Sequence, residues 1–222
     1  MAVSLSEASN EASATALLTA TEKRFGGTGI EVATKKHAGG RHNHTYLTMT
    51  VPAQHLKSLA KWLKHEQNVD LCSLITGVHW PAKAPEQEWE VVYHLVRTTV
   101  RNPPVVEGKQ TVGLRVDYNA LPPEQTPLEI ELHVLLPSDS PVVDSVQDIW
   151  PSANWNEKET WDLVGIEFSG HKNLHRVLLP ADTPVGYHPL QKQHKIRYHD
   201  FNEMYDDPQG FGRKPVDKDL VK

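Results

Sequence analysis

Apolar and polar residues alternate most regularly near the middle of the chain. From 128 to 136, leucine, isoleucine and valine take every second position, and Glu129, Glu131 and His133 fall between them. Residues 89–96 alternate in a similar way. Because successive side chains of a strand point to opposite faces, this period predicts strands with one buried and one wetted face. Shorter apolar runs predict further strands at residues 30–33, 45–51, 71–78 and 111–117.

Helical spacing occurs in two places before the middle of the chain. Pro52 opens a predicted helix that runs to about Gln67, with leucine and alanine recurring every three or four positions. A shorter helix is expected over 12–24, ended by Gly26-Gly27. The Ser/Ala/Glu-rich residues 1–11 are expected to be disordered. A further short helix is predicted over 141–150.

These elements predict an α+β fold, with a mostly antiparallel or mixed sheet and helices on one face. The domain is expected to span 12–180 and to be followed by an extended tail, 181–222, that lacks apolar periodicity. Aromatic residues are spaced along this tail as anchors for a partner: Tyr187, Tyr198, Phe201, Tyr205 and Phe211. Composition alone leaves a disordered terminus equally open.

The segment 154–180 carries the densest chemistry of the chain. Asn154 and Glu157 have the spacing of a helix-opening capping pair, and Gly165 supplies the backbone that ends the helix. Ile166 and Phe168 alternate as a short strand before a turn at 170–171. The pattern indicates a helix–turn–strand elbow that presents aromatic and charged side chains to a partner, rather than a catalytic constellation.

This segment resembles the signature of the 30-kDa subunit of respiratory complex I, the NADH-quinone oxidoreductase. The matching residues are Glu157, Glu159, Trp161, Asp162, Leu163, Gly165, Ile166, Phe168, Gly170, His171, Leu174, Arg176, Val177 and Leu178. Flanking matches are Asp148, Trp150, Ser152, Ala153, Asn154, Pro180, Asp182, Gly186, His188, Pro189 and Leu190. The chain departs from the family pattern at Lys158, Lys172, the inserted Tyr187 and residues 191–194.

The resemblance implies a non-redox structural and assembly subunit in the peripheral arm of a proton-translocating NADH:quinone oxidoreductase. The implied partners are the large subunit that helps form the quinone cavity and the small subunit that carries the terminal cluster. Iron–sulfur clusters and quinone would lie in those partners, with no cofactor on this chain. The implied partner contacts are Trp150, Trp155, Glu159, Trp161, Asp162, His171, Arg176 and His188. The same module occurs in ferredoxin- and F420-dependent quinone reductases and in membrane-bound hydrogenases, which therefore stay open.

Composition narrows the range of functions. A net charge of −5 and a pI near 6.2 give no basic footprint for nucleic acid. The single cysteine, Cys72, supplies too few thiolates for an iron–sulfur cluster and is expected to be a buried hydrophobe. No apolar run reaches the roughly 18–20 residues of a membrane span, and the N-terminus lacks the pattern of a signal peptide. These features predict a cytosolic protein, or one peripheral on the cytosolic side of a membrane.

Two other classes of function have weaker signals. His171 and His175 have a zinc-compatible spacing, so a free-standing zinc hydrolase is one alternative; an interface histidine is the default. His42, His44, His188, His194 and His199 are expected to be solvated side chains, as thirteen histidines are scattered along the chain. Glu157, Glu159 and Asp162 are better explained by the helix dipole than by acid/base chemistry. We expect this chain to have no active site of its own. The second of these two classes is a soluble adaptor without a redox partner.

Overall fold

The computed structural model describes residues 5–37, 44–80, 89–98 and 118–194. Helices and strands follow in the order α1 Glu7–Phe25, β1 Glu31–Lys36, β2 Thr45–Thr50, α2 Ala53–His65, β3 Leu71–His79, β4 Trp89–Arg97, β5 Leu128–Leu136, β6 Val142–Asp144, α3 Ala153–Val164 and β7 Glu167–Ser169. Two short 3-10 turns, Tyr118–Ala120 and Pro123–Gln125, precede β5. None of the helices in these ranges is long and apolar enough to cross a membrane.

The main sheet has five strands in the order β1-β2-β5-β4-β3. β2 and β5 run parallel and the other neighbours are antiparallel, so the predicted mixed α+β architecture is confirmed. In β4 and β5 every second residue is buried, and the register places these residues opposite one another, as with Tyr93 and Leu132. The sheet therefore has one face covered by helices and one open face.

A buried arginine ties several elements together at one end of this core. Arg97, the last residue of β4, is only 1% exposed. Its guanidinium donates to the carbonyls of Gln67 (2.9 Å) and Pro123 (3.1 Å), and to the hydroxyl of Ser13 (3.3 Å). Burial lowers the pKa of Arg97 to about 10, which still leaves it charged at neutral pH. The strand predicted over 89–96 stops one residue short of Arg97.

The first helix begins earlier than its apolar spacing predicts. α1 starts at Glu7, so the expectation of disorder is wrong for 7–11. The Ser6 hydroxyl accepts from the backbone N–H of Ser9 (3.2 Å), and the Ser6 N–H donates to Asn119 Oδ1 (2.7 Å). A polar cap and a tertiary contact therefore stabilise a first turn that has little apolar surface of its own.

The predicted helix over 141–150 is wrong. Val142–Asp144 forms β6, which pairs in parallel with β7 so that Val143 lies opposite Phe168. Val143 and Phe168 are both buried, and such pairing favours β-branched and aromatic residues. The following residues form a turn, in which the N–H groups of Ile149 and Trp150 donate to the carbonyl of Val146.

The folded unit also extends past its expected end at residue 180. The first compact unit runs from Met1 to Gln191 and the second comprises Lys192–Lys222. The predicted strand at 111–117 and the tail anchors beyond residue 194 lie outside the described residues.

Candidate partner-contact site

The elbow, defined here as residues 153–191, begins with α3. Ser152 precedes the helix and makes no side-chain cap, so the predicted capping pair of Asn154 and Glu157 is wrong. The predicted stop is right: Gly165 has φ +92°, and its N–H donates to the carbonyl of Trp161 (2.9 Å). A Cβ at Gly165 would lie 2.8 Å from the ring of His188. Both the left-handed backbone and this close approach therefore require glycine.

Asp162 anchors the chain that follows the helix. Its buried carboxylate accepts from the backbone N–H groups of Val177 (3.0 Å), Leu178 (2.9 Å) and Leu179 (3.0 Å) through one oxygen. The other oxygen accepts from Arg176 Nη1 at 2.8 Å. Burial acts to raise the pKa of Asp162, but the three amides and the guanidinium outweigh it and hold that pKa below its usual range. The carboxylate therefore stays ionised and fixes residues 176–179.

Arg176 extends this anchor to the next loop. Its guanidinium donates to the carbonyls of Pro184 (3.1 Å) and Tyr187 (3.4 Å) while it contacts Asp162. The same group lies 5.8 Å from the ring centre of Trp161, a cation–π contact. One side chain therefore holds both ends of the segment 176–187.

The last part of the elbow closes over the C-terminal end of α3. His188 Nδ1 lies 2.9 Å from the carbonyl oxygen of Asp162. The N–H of Leu190 donates to Leu163 O (3.0 Å), and the side-chain amide of Gln191 donates to Val164 O (2.8 Å). These carbonyls are among those that a helix end leaves without an internal partner. Residues 188–191 therefore act as a cap and are part of the domain.

Glu157 lies in a pocket at the other end of the helix. Its carboxylate accepts from Ser145 Oγ (2.6 Å) and from the backbone N–H of Val146 (2.7 Å), and its side chain is fully buried. Burial raises the pKa of Glu157 to about 7, although both hydrogen bonds oppose the shift. The carboxyl group therefore titrates near neutral pH.

His171 closes this pocket as a neutral ring. Its Nδ1 accepts from the N–H of Asn173 (3.1 Å), which leaves the proton on Nε2 for the carbonyl of Asn154 (3.2 Å). Nε2 also lies 3.9 Å from the Glu157 carboxylate. Burial lowers the pKa of His171, in keeping with a neutral imidazole.

Three of the eight predicted partner contacts are enclosed within the chain. Trp150 is 1% exposed and donates through Nε1 to the carbonyl of Val69 (3.0 Å), so it belongs to the core. The side chains of Asp162 and His171 are fully buried. These three are corrected to internal roles, because a side chain enclosed by its own chain has no surface to offer.

The other five predicted contacts are reachable. Trp155 is 55% exposed, and Glu159, Trp161, Arg176 and His188 are partly exposed. The Trp161 ring contacts both Arg176 and His188, so these three side chains are packed together within the chain.

Large apolar side chains are exposed along the same elbow. This exposed apolar set consists of Trp155, Leu178, Val185, Tyr187 and Leu190. The N–H of Leu178 donates to Asp162 and the carbonyl of Tyr187 accepts from Arg176, so the backbone is held at these two positions. Exposed apolar side chains of this kind offer surface that a protein partner can cover. Apart from Trp155 and the aromatic tail residue Tyr187, sequence reasoning missed this set, because single apolar residues between polar ones give no periodic signal.

The zinc hypothesis for His171 and His175 has no support from this geometry. Both ring nitrogens of His171 are used in backbone hydrogen bonds, and His175 Nδ1 lies 3.0 Å from the carbonyl of Asn173. Within the part of the chain that the structure describes, potential metal ligands gather in a group of three elsewhere, at His37, His44 and Glu129.

A mixed α+β domain in which Asp162 and Arg176 hold an elbow with exposed apolar side chains fits the class of subunits that belong to larger assemblies. Residues 49–200 match the family model described as respiratory-chain NADH dehydrogenase, 30 Kd subunit, and the chain belongs to this family. The signature residues that carry the resemblance are those that build the elbow.

Curated relatives agree with this assignment. The chain is 32% identical over 152 residues to the C-type subunit of the NADH-quinone oxidoreductase of Acidothermus cellulolyticus, a match that covers 68% of this chain and 64% of that protein. It is 29% identical to the same type of subunit from Herpetosiphon aurantiacus, over 78% of this chain and 85% of the relative. A chain of the membrane-bound sulfane sulfur reductase, an archaeal respiratory membrane complex, shares the fold with a TM-score of 0.56 at 19% identity, covering 82% of this chain and 86% of that one.

Proposed function

We propose that this chain is a non-redox structural subunit in the peripheral arm of a proton-translocating NADH:quinone oxidoreductase. Its elbow would bind neighbouring subunits, and those neighbours would carry electrons from NADH to quinone. The observation that carries the proposal is the exposed apolar set, which is held in place by Asp162 and Arg176. Family membership supplies the class of complex.

The proposed partners are the large subunit that helps form the quinone cavity and the small subunit with the terminal cluster. We assign the iron–sulfur clusters and the quinone to those partners and no cofactor to this chain. Burial raises the pKa of the single cysteine, Cys72, to about 12, so the thiolate form that a metal cluster requires is disfavoured. The proposed location is peripheral, on the cytoplasmic side of the membrane.

The electron donor of the complex has to be identified by experiment, because related modules serve ferredoxin- or F420-dependent quinone reductases and membrane-bound hydrogenases. The chain is tagged in its own host, membranes are solubilised gently, and a native gel is followed by mass spectrometry of the tagged band. Co-migration with cluster-bearing and quinone-site subunits supports the proposal, and the donor-side proteins identify the complex. A small species without such partners would overturn it.

A matched pair of leucines tests the role of the elbow itself. Leu178→Ala removes a side chain that is 54% exposed in the elbow, and Leu74→Ala removes one that is 50% exposed on the edge strand β3. We expect Leu178→Ala to lower the amount of assembled complex several-fold and Leu74→Ala to change it much less, because interface energy is concentrated in a few residues. The free energy of unfolding of each isolated variant is expected to lie within about 0.5 kcal/mol of that of the parent chain. Equal complex abundance in both variants would count against the elbow as the contact.

A further inference from the structure

Two histidines face each other across the hairpin between β1 and β2. The antiparallel register pairs Lys36 with Thr45, and the N–H of His37 donates to the carbonyl of His44 (3.0 Å), which continues the ladder by one pair. Lys36 and Thr45 point toward the helices, as shown by the ion pairs of Lys36 with Glu7 and Glu11. Since side chains alternate between faces, His37 and His44 lie on the open face of the sheet.

Glu129 on β5 completes a cluster with these histidines. β5 lies beside β2, and the Glu129 carboxylate is on the same open face, 2.9 Å from His44 Nε2. One ligand atom from each of His37, His44 and Glu129 lies within 4.8 Å of the others. The end of β1, the start of β2 and strand β5 thus each place one potential ligand atom, a nitrogen or an oxygen, in the same small region.

The rings are held in place by their neighbours. The His37 ring stacks on Tyr46 with a centroid distance of 4.4 Å and an interplanar angle of 20°, and its centroid lies 4.5 Å from that of His44. The Glu129 carboxylate is also 3.9 Å from His94 Nε2 on β4. The His44 and Glu129 side chains are 37% and 38% exposed, so an ion from solvent can reach them.

We propose that His37, His44 and Glu129 form a binding site for a divalent transition metal of the class that prefers imidazole, such as zinc. Two imidazoles and one carboxylate are a common ligand set for zinc, and they leave a coordination position open. Ligands about 2.0–2.1 Å from a tetrahedral ion lie about 3.3 Å apart. The contact between His44 and Glu129, at 2.9 Å, is already close to this spacing, and the ligand atom of His37 lies within 4.8 Å of both.

A bound ion would fasten the hairpin of β1 and β2 to β5 on the face opposite the helices. The site is separate from the elbow and does not depend on the function proposed for it. Because a metal that binds only the folded chain adds to its stability, the ion would raise the free energy of unfolding in proportion to the logarithm of its concentration.

The test uses the full chain purified without a histidine tag. Zinc is titrated calorimetrically at pH 7.5 in a non-chelating buffer, with His44→Ala, Glu129→Gln and the control His65→Ala. His65 is an exposed histidine in the last turn of α2, outside this cluster. We expect one zinc per chain at the site, at least tenfold weaker in His44→Ala and in Glu129→Gln, and unchanged in His65→Ala.

Cobalt serves as a second probe because its visible absorption reports the ligand environment. Imidazole and carboxylate coordination should produce ligand-field bands in the parent chain that disappear in His44→Ala. Circular dichroism of each variant confirms that it is folded, and Glu129→Gln keeps the shape of the side chain if the alanine variant does not fold. The proposal is overturned if the parent chain binds no stoichiometric zinc, or if the cluster variants bind as it does. It is equally overturned if His65→Ala removes as much binding as they do.

Discussion

The two ends of α3 bury a carboxylate in opposite ways. Glu157 near its start receives hydrogen bonds from one hydroxyl and one amide, and its pKa rises to about 7. Asp162 near its end receives three amides and a guanidinium, and its pKa falls. Burial raises the pKa in both cases, so the number and charge of the donors decide the outcome.

This difference assigns separate tasks to the two regions. The Asp162 end is a charge-compensated anchor, and the segment 176–191 depends on it for its position. The Glu157 end is a pocket with fewer donors that joins β6, α3 and the turn at His171, and its carboxyl group gains or loses a proton near physiological pH. The two carboxylates should therefore make stability depend on pH in opposite directions, and mutating them should change stability differently.

The largest expected effect comes from removing the anchor. Asp162→Ala leaves three amides and the Arg176 guanidinium without their acceptor, and we expect it to lower the free energy of unfolding by about 3–5 kcal/mol. Urea unfolding at pH 7 measures this change. Glu159→Ala, a partly exposed acid on the same helix, is the control and should change stability by less than about 0.5 kcal/mol. A loss below about 1 kcal/mol in Asp162→Ala would show that the segment folds without its anchor.

The pH dependence of stability sharpens the other side of the comparison. The Glu157 carboxyl has a pKa of about 7 in the folded chain against 4.5 as its ordinary value, so the folded state binds more protons between these pH values. The free energy of unfolding must therefore fall as pH rises through this window, by about 2–3 kcal/mol between pH 5 and pH 8. Glu157→Gln cannot titrate and should lack this component.

The measurement is the difference between parent and Glu157→Gln in urea unfolding at several pH values. Subtraction removes the contributions of other groups, such as His133, whose pKa is raised by its hydrogen bond to Glu90. Asp162 works in the opposite sense: its lowered pKa stabilises the folded chain above its ordinary pKa of 3.8, and this contribution is lost as pH falls further. Parallel pH profiles for parent and variant would contradict the assignment to Glu157.

The smallest expected effect tests how Arg176 spans its loop. Arg176→Lys keeps the charge but loses the planar fork that reaches Asp162 and the carbonyls of Pro184 and Tyr187 together. We expect a loss of about 1–2 kcal/mol and faster proteolytic cleavage within 180–190 than in the parent chain. Lys172→Ala, a change at an exposed neighbour, should leave the cleavage rate unaltered. Equal cleavage rates for Arg176→Lys and parent would show that charge alone is sufficient.

Much of the fold was predictable because strand and helix periods are local. Alternation in 89–96 and 128–136 located β4 and β5, leucine spacing located α2, and Gly165 located the end of α3. The prediction of a helix over 141–150 failed because Val143 pairs with Phe168 of β7, a strand that comes after α3 in the chain. The start of α1 was missed because the Ser6 cap is completed by Asn119, a partner distant in sequence.

Within the elbow, sequence determined which residues matter, and the tertiary structure decided what each does. The signature pattern, the single cysteine and the family follow from the order of residues alone. Whether Asp162 and His171 face a partner or the interior depends on how 166–191 folds back over α3, and Trp150 turns inward to the carbonyl of Val69; no local period encodes either arrangement. Buried acids on a helix look like solvated ones in sequence; only the donors that tertiary folding brings to them distinguish the ionised anchor at Asp162 from the carboxyl group that titrates near neutral pH at Glu157.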